Sequence, residues 1–508
     1  MFARKLLLSS SLLALTSAPA LADITAQEVW SEWKSAMQGF GYSVQGSEAT
    51  SGDTLTITGL VMSMPLPEED VQIEINMGEM SLTNLSNGTV EISLPKTLPI
   101  AFSISDEGEA DVSGALTYDT TDLSMRVSGS ASNMRYSYTA SALDMTLSEL
   151  VIEGKPVDIG TLGMSLSNIA GSTTMKVGSL RDIVQDFTAD TLAYTVDIQP
   201  PESTRAEDRF ALSGTLNAFT FLGTGAYPTG GFDVANTSSM LKAGFTFEGS
   251  FGHTGGNTHI DITENGQQTI GTFSSDSGLL KMALGASGLS YSGAVQGLTS
   301  TMTSSQTPFP VELNAAKSAF ALAMPIVPSP ETQTYGLTIE LSALTTSEKL
   351  WSLIDPTAQL PRDPATLHLE LSGKAKLLSD ILDPAGLTAL ETGATKPAEL
   401  HTLDLNTLKL SLAGAALTGT GAFTFDNSDM ETIPGIPRPT GAVDLELAGA
   451  TTLMDKLVSM GLLDEAQATG ARMMLALFAV PAAGEDRLTS KVEVTKDGHL
   501  RANGQRLR

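Results

Sequence analysis

The five histidines of this 508-residue chain are the residues best suited to metal or acid–base chemistry. His253 and His259 lie six positions apart in a glycine-rich stretch, and Asp261 follows two positions later. Imidazole and carboxylate groups bind transition metals, so these three side chains could form a weak metal site. No histidine is followed by glutamate, so the helical zinc-protease motif is absent. We interpret the three residues as a chance arrangement and predict neither a metal nor a cofactor.

Motifs for covalent or nucleotide chemistry are also missing. Ser31 and Lys34 match Ser-x-x-Lys, but the Ser-Asp-Asn and Lys-Thr-Gly motifs that accompany it in serine acyl-transfer enzymes are absent. Gly154-Lys155 and Gly373-Lys374 lack the remainder of a phosphate-binding loop, and no Gly-x-Gly-x-x-Gly occurs. The sequence therefore predicts no catalytic residues and a protein that is not an enzyme.

A recurring glutamate is the third candidate for chemistry. Glu340, Glu370 and Glu446 occupy the same point of a strand-like cassette that is written at 337–343, 367–373 and 443–449. A ladder of carboxylates on one face could bind a cation or a cationic ligand. The alternative is that these residues mark the solvent face, as charges opposite an apolar row do in any half-buried strand.

The elements around these residues are mostly strands. Apolar and polar residues alternate through each cassette, and the spacing then becomes helical, with Asp355-Pro356 and Asp383-Pro384 predicted to end the first two helices. Thr25 and Glu28 predict a capped helix at 26–39, and Asp497-Gly498 predicts a closing hairpin. We predict an α+β, β-dominated fold: long curved antiparallel sheets of repeated strands, with short amphipathic helices packed on part of the sheet.

A second repeat, which begins with methionine, occurs three times in the N-terminal half. It reads Met-Ser-Leu-Thr-Asn-Leu at 80–85, Met-Thr-Leu-Ser-Glu-Leu at 145–150 and Met-Ser-Leu-Ser-Asn-Ile at 164–169, and its last step breaks strict alternation. A bulge or a strand end is expected at that step. Methionine adapts to irregular apolar partners, so these strands could cradle an acyl chain, although ordinary core packing is the alternative. The candidate apolar groove comprises Met62, Met64, Met77, Met80, Leu82, Met145, Leu147, Met164 and Leu166.

The first 22 residues have the pattern of a secretory signal peptide. Arg4 and Lys5 precede an apolar run at 6–15, and Ala20-Leu21-Ala22 matches a cleavage site. Cleavage after Ala22 would export the chain, to the periplasm in preference to the medium. No later stretch is apolar enough to span a bilayer. The absence of cysteine excludes disulfides, and a net charge of −28 opposes nucleic-acid binding.

Composition divides the remaining chain into three regions. Residues 23–200 hold the first helix and an antiparallel β region, residues 201–330 form a β region rich in Gly, Ser and Thr, and residues 331–508 hold the strand–helix repeats and the closing hairpin. Pro200, Pro201 and the charged run to Arg209 suggest a linker between the first two regions.

Several short stretches resemble a known family. They are 23–30 with Trp33-Lys34 and 39–42, then 52–55, 87–90 and 497–504. In these stretches the chain is similar to exported alphaproteobacterial proteins grouped as domain-of-unknown-function family 2125, which implies no catalytic residues. The strand repeats also resemble, in architecture, envelope proteins of the AsmA-like and YdgA-like kind, some of which are implicated in lipid traffic.

Three functions are compatible with these features. The first is an exported, non-enzymatic carrier or scaffold with an apolar groove for lipid or another hydrophobic ligand. The second is a structural or adhesive envelope protein without a small ligand, and the third is a hydrolase whose site residues are scattered in sequence. The first predicts an open apolar concavity, the second a closed core, and the third convergent polar groups in a pocket.

Overall fold

The computed structural model describes residues 23–65, 71–106, 109–157, 160–198, 208–229, 236–393 and 395–507. The predicted signal peptide lies outside these residues, and so does most of the predicted linker at 200–209. The described chain has the following helices: α1 (Ala26–Gly39), α2 (Thr237–Lys242), α3 (Glu348–Ile354), α4 (Pro384–Glu391), α5 (Ala450–Ser459) and α6 (Glu465–Phe478).

The strands of the N-terminal half are β1 (Ser43–Ser51), β2 (Thr54–Pro65), β3 (Gln72–Asn84), β4 (Val90–Ser93), β5 (Thr97–Asp106), β6 (Glu109–Thr121), β7 (Ser124–Ser130), β8 (Asn133–Ile152), β9 (Lys155–Pro156), β10 (Thr161–Val177), β11 (Leu180–Ile198) and β12 (Arg209–Pro228). Those that follow are β13 (Thr246–His253), β14 (Gly256–Glu264), β15 (Gln267–Ser275), β16 (Ser277–Gly285), β17 (Gly288–Ser304), β18 (Val311–Met324), β19 (Gln333–Thr346), β20 (Ala365–Leu377), β21 (Ala398–Leu412), β22 (Ala415–Asp426), β23 (Arg438–Ala448), β24 (Val480–Pro481), β25 (Arg487–Val494), β26 (Leu500–Ala502) and β27 (Gln505–Arg506).

All these strands join one antiparallel sheet of 27 strands, so the fold is β-dominated α+β, as the sequence predicts. Most strands lie beside the one before them in the chain, so that β10, β11 and β12 pair in turn, as do β17 to β23. Where one row of the sheet consists of two short strands, both pair with the same long neighbour. Thus β13 and β14 pair with β12, and β16 and β15 pair with β17.

A line of irregular residues crosses the sheet from β2 to β19, and we call it the crease. The regular pairing of strands is interrupted at the crease, between Ser167 and Ala170 in β10 and between Gln296 and Leu298 in β17. Backbone bonds still follow it, because Gly255 donates to the carbonyl of Asp276 (2.6 Å) and Asp276 to that of Gln296 (2.9 Å). The residues along the line with φ between 45° and 88° are Gly59, Gly78, Asp122, Asn168, Ala218, Gly255, Gly297 and Ala343.

The crease keeps the apolar side chains on one side of the sheet. In β10 the inward residues have even numbers before Asn168, such as Met164 and Leu166, and odd numbers after it, such as Met175. One extra residue in a strand reverses which positions point inward. The apolar residues of the sequence switch from even to odd positions at the crease, so the extra residue there keeps them all on the same side of the sheet. The predicted break in the methionine repeats is confirmed: β3 ends at Asn84, pairing shifts beside Leu147, and Asn168 adopts φ 46°.

The crease divides the sheet into two walls. The long wall runs from the Leu55 segment of β2 to β26, and the short wall runs from the Met62 segment of β2 to the end of β19. The two apolar faces meet across the crease, since the buried cluster of Leu166, Ile169, Ala140 and Ala189 is packed by side chains of both walls. These include Tyr138 and Phe187 from the long wall and Leu143, Met164 and Leu192 from the short wall. The concave side of the sheet is therefore an apolar trough.

The cassettes form strands as predicted, but one of their helices differs. Helix α3 ends before Asp355-Pro356 and α5 follows the third cassette, as expected. The second helix was predicted to stop at Pro384, whereas α4 starts there, with the Asp383 carboxylate accepting from Ala385 and Gly386. Proline fits the first turn of a helix because its missing N–H would have no helical partner there.

Candidate functional site: an open section of the apolar trough

Helix α1 closes the trough at its N-terminal end. A capping box of Thr25 and Glu28 starts this helix, as predicted. Val29 and Trp30 are each 1% exposed and pack on Leu55, Leu82 and other residues of the long wall. The buried Arg181 fixes the helix, since its guanidinium lies 2.7 Å from the Glu32 carboxylate. Helix α1 therefore covers the apolar residues of the long wall on which it packs.

A second cover lies at the far edge of the long wall. Met240 and Leu241 of α2 form a buried cluster with Phe245, Ile326 and Val327. Tyr227, Leu284 and Met324, which end three strands of the long wall, pack against this cluster. The Asp380 carboxylate holds α2 through Ser238 and through Lys242, whose Nζ lies 2.8 Å away. This cover caps the outer edge and does not reach the crease.

Between these covers the apolar face is open. Six large side chains of successive long-wall strands are each 37–46% exposed: Phe251, Met282, Tyr291, Phe320, Leu322 and Ile339. The strand register places all six on the same face, since Phe251 lies opposite Leu280, Tyr291 opposite Met282 and Leu322, and Phe320 opposite Ile339. Contiguous exposed apolar surface of this kind marks a binding site far more often than isolated exposed residues do. We call these residues the open section.

The short wall supplies the other side of the open section. Met302 and Leu313 are exposed on adjacent strands there. Near the crease, Leu216 of the short wall and Phe251, Leu280 and Phe320 of the long wall line one cavity of about 380 Å³. The walls therefore converge on a shared apolar space.

Aromatic rings lie flat on the floor of this section. A Cβ atom added to Gly293 would lie 2.6 Å from Cε1 of Phe320, and one added to Gly249 would lie 2.8 Å from Cζ of Phe247. The rings thus occupy the space above neighbouring glycines, an arrangement known to shield glycine in sheets. Because the rings lie along the sheet, they leave depth in the trough above them.

Charges lie on the opposite face of the sheet. Glu340 bonds Lys317 at 2.6 Å, and this hydrogen bond holds the pKa of the Glu340 carboxyl below its usual range. Arg487 binds Glu446 at 2.7 Å. Glu370 lies opposite Thr338 and Thr407, also on this outer face. The recurring glutamates therefore occupy the polar face, as the second interpretation of the cassettes expects.

The histidine candidates lie on different faces. His253 lies opposite Gly278 on the trough side, whereas His259 and Asp261 project from the outer side of the short wall. Asp261 accepts a hydrogen bond from Gln268 at 2.9 Å and lies 3.5 Å from Arg209. Across the ranges that the structure describes, no group of three acidic or histidine side chains could hold a metal ion.

The predicted groove residues reach the apolar side, but on strands nearer the N-terminus than the open section. Met62, Met80, Leu82 and Leu166 are 1–9% exposed and form part of the core. The other five are partly buried: Met64, Met77, Met145, Leu147 and Met164. Met145 and Met164 face each other on adjacent strands of the short wall.

Sequence reasoning missed the open section, which lies further along the chain. Phenylalanine is usually a core residue, yet Phe251, the last residue of the Phe-x-Phe-x-x-x-Phe pattern at 245–251, is 46% exposed. The open section could be predicted from the large inward residues that recur in four successive strands, at 279–284, 289–291, 320–324 and 337–341. The sequence near these strands contains no amphipathic helix long enough to cover them. Met473, Met474 and Leu477 of α6 are likewise apolar residues that are 50–65% exposed.

Residues 256–503 match the DUF2125 family, described as an uncharacterized protein conserved in bacteria. This match supports the DUF2125 family for the C-terminal part of the chain, which contains β14 to β26 with most of the open section. The closing stretch at 497–504 lies inside the matched region except for its last residue, and the N-terminal stretches of the resemblance lie outside it. A search of curated proteins and a search of solved structures each found no match. In the described part of the chain, no helix has the length and hydropathy needed to cross a bilayer.

Proposed function

We propose that the protein is an exported, non-enzymatic carrier that holds the acyl part of a lipid, or another elongated apolar molecule, in the open section. The observation that carries this proposal is the row of six exposed apolar side chains on one concave face. Each methylene group moved from water to an apolar surface contributes about 0.8 kcal/mol, so a partly sheltered chain would be retained.

The dimensions support an acyl chain that lies across the strands. From Phe251 in β13 to Leu410 in β21, which is also exposed, there are six steps between neighbouring strands. At about 4.8 Å a step, this distance is about 29 Å. The hydrocarbon core of a bilayer, which contains two layers of acyl chains, is about 30 Å thick. The open section therefore has room for a complete chain along its length.

The chemistry of the section supports binding over catalysis. The inward long-wall positions on β16, β17 and β18 are glycine, leucine, methionine, tyrosine, valine, serine and phenylalanine, and none of these carries a charge at neutral pH. Acid–base or nucleophilic catalysis needs convergent groups with matched pKa values. An uncharged apolar lining instead suits a ligand that is held without being changed.

The direct experiment is to purify the protein from the bacterium that makes it and identify co-purified lipids by mass spectrometry. A titration with a fluorescent fatty acid then compares two matched variants. Leu322→Glu places a charge in the open section, whereas Leu222→Glu makes the same change at a leucine that is 59% exposed on the outer face. We expect the first variant to lose binding at least tenfold and the second to bind as the wild type does. Equal binding by both variants, with no co-purified lipid, would favour the structural envelope role.

Export requires its own test. The N-terminal residue of the purified protein should be Asp23 if the leader is removed after Ala22, and cell fractionation should recover the protein with periplasmic markers. An intact N-terminus in the cytoplasmic fraction would contradict this part of the proposal and leave the binding experiment unaffected.

A further inference from the structure

His253 lies where the two walls of the trough meet. It is the last residue of β13, and the crease residue Gly255 separates it from β14. Of the described residues that line the cavity of about 380 Å³ near the crease, His253 alone has a titratable side chain. The rest of the lining consists of apolar side chains, glycines and Ser318. Ligand sites commonly combine an apolar lining with a few polar groups that orient the ligand, and His253 is placed to do this for the open section.

The imidazole ring of His253 lies across the crease. A Cβ atom added to Gly278, the second residue of β16, would overlap the Nε2 atom of the ring. A Cβ atom added to Gly256, which begins β14, would lie 3.1 Å from Cε1 of the ring and 3.2 Å from Oγ of Ser275. Two glycines, one in each wall, therefore leave the space that the ring occupies, and the Ser275 hydroxyl borders the same space.

The backbone of the crease determines which ring nitrogen of His253 carries the proton. Nδ1 lies 3.3 Å from the carbonyl oxygen of Gly255, and a carbonyl oxygen can only accept a hydrogen bond. Nδ1 is therefore the donor, so in the neutral ring Nε2 is an acceptor. Within the described ranges Nε2 has no hydrogen-bond partner. The cavity thus offers a ligand one acceptor whose position is set by the crease.

An acceptor in an apolar cavity selects among lipid head groups. A hydroxyl or carboxyl group can donate a hydrogen bond to Nε2, and a carboxyl group can also pass its proton to Nε2 and remain as a carboxylate bonded to the imidazolium. An ester has no proton to donate. A phosphodiester is a permanent anion, and none of the described residues that line the cavity is lysine or arginine. Its charge would therefore enter an apolar cavity without a basic partner, which is costly.

The open section lies on only one side of His253. On the N-terminal side, the Phe187 and Phe219 rings, with centroids 6.1 Å apart, pack on the buried cluster that contains Ala189. On the C-terminal side, β16 to β19 carry exposed apolar residues that include Phe320 in β18. The acyl chains of one bilayer leaflet span about 15 Å, which corresponds to about three steps between strands. A tail that starts at β13 therefore reaches β18.

We propose that the cavity at the crease is a head-group site, in which Nε2 of His253 accepts a hydrogen bond or a proton from a long-chain acid or alcohol whose tail lies along the open section towards β18. This inference rests on the proposed carrier function, and it adds the chemical class of the ligand and the direction in which the ligand lies. The acid and the alcohol share an O–H group on a single polar end, and the experiment distinguishes between them.

Displacement of a fluorescent fatty acid from the full chain tests the head group. The competitors are dodecanoic acid, dodecanol and methyl dodecanoate, which share one tail. We expect the acid, the alcohol or both to bind about fivefold more tightly than the ester, the usual effect of one hydrogen bond. His253→Leu should remove this preference and leave the affinity for the ester unchanged, which also shows that the variant folds. His259→Leu, on the outer side of the short wall, is the matched control and should bind as the wild type does.

Crosslinking tests the direction of the ligand. Hexadecanoic acid with a diazirine at its methyl end should label peptides of β18 and β19, near Phe320 and Ile339, and mass spectrometry locates the label. Label in β10 to β12 would overturn the proposed direction. Equal affinities of the wild type for all three competitors, or equal effects of the two histidine substitutions, would overturn the head-group site and leave the carrier function standing. Failure of all three competitors and of the fluorescent fatty acid to bind would contradict the carrier function and this inference with it.

Discussion

The ring of Phe320 in β18 lies directly over Gly293 in β17, at a distance that leaves no room for a Cβ atom. The ring is therefore held along the floor of the trough rather than upright in it. The depth of the open section depends on this glycine as much as on the exposed side chains. A sequence comparison that scored only hydrophobicity would overlook the position.

The first prediction concerns Gly293→Ala. The new methyl group would push the Phe320 ring away from the floor, since the contact of 2.6 Å is shorter than real Cβ contacts allow. We expect severalfold weaker binding of a fluorescent fatty acid and a loss of stability of about 1–3 kcal/mol from overpacking. Gly336→Ala is the control, because its Cβ would lie 3.4 Å from the nearest atom. Unchanged affinity in Gly293→Ala would show that the ring position does not determine trough depth.

The second prediction concerns the anchor of α1. Glu32→Gln leaves the guanidinium of Arg181, a side chain 3% exposed, without its charged partner. Removing one member of a buried pair costs about 3–5 kcal/mol. We expect earlier urea unfolding and proteolytic cleavage near α1. Lys34→Gln breaks the more exposed pair with Glu48, and should change stability by less than about 1 kcal/mol.

The third prediction is a pH dependence beneath α1. Burial, with the nearby Glu32 charge, raises the pKa of Tyr136 to about 12, above the ordinary value of 10. The unfolded chain would release this proton first, so the stabilising effect is complete below pH 10 and falls as the pH rises towards 12. A shift of this size corresponds to about 2–3 kcal/mol. Burial also raises the pKa of Tyr118, Tyr227 and Tyr335, so absorbance titration should show several tyrosines that ionise late, and Tyr136→Phe should remove the latest step.

The fourth prediction tests the crease. Asn168→Val places a β-branched residue at φ 46°, which should cost about 1–2 kcal/mol, and it also removes the bond from Asn168 to the Asp190 carboxylate at 2.8 Å. Asn168→Gly should recover the backbone part of that loss. Thr195→Val, on extended backbone in β11, is the control and should be nearly neutral. Thermal unfolding of the three variants decides the matter, and equal stability of Asn168→Val and Asn168→Gly would count against strain at the crease.

Local signals in the sequence predicted much of the fold. The capping box of α1, the strand cassettes and the broken alternation at Asn168 were each readable because neighbouring residues determine them. The trough was not readable, because it depends on which distant strands share a face and on whether a helix covers them. Phe251 and Leu82 are both inward apolar residues, yet only Leu82 lies in the core that α1 packs against. The exposure of Met473 has the same origin, since α6 has no second layer to bury it.

The sequential pairing of the strands has a consequence for how such proteins can change. In the described sheet, each strand from β18 to β22 pairs only with the strands before and after it along the chain. Duplication or deletion of one hairpin would alter the sheet by two strands, or about 10 Å, without disturbing the rest. The width of the sheet thus depends on the number of hairpins, so relatives of different length would form sheets of different width with the same architecture.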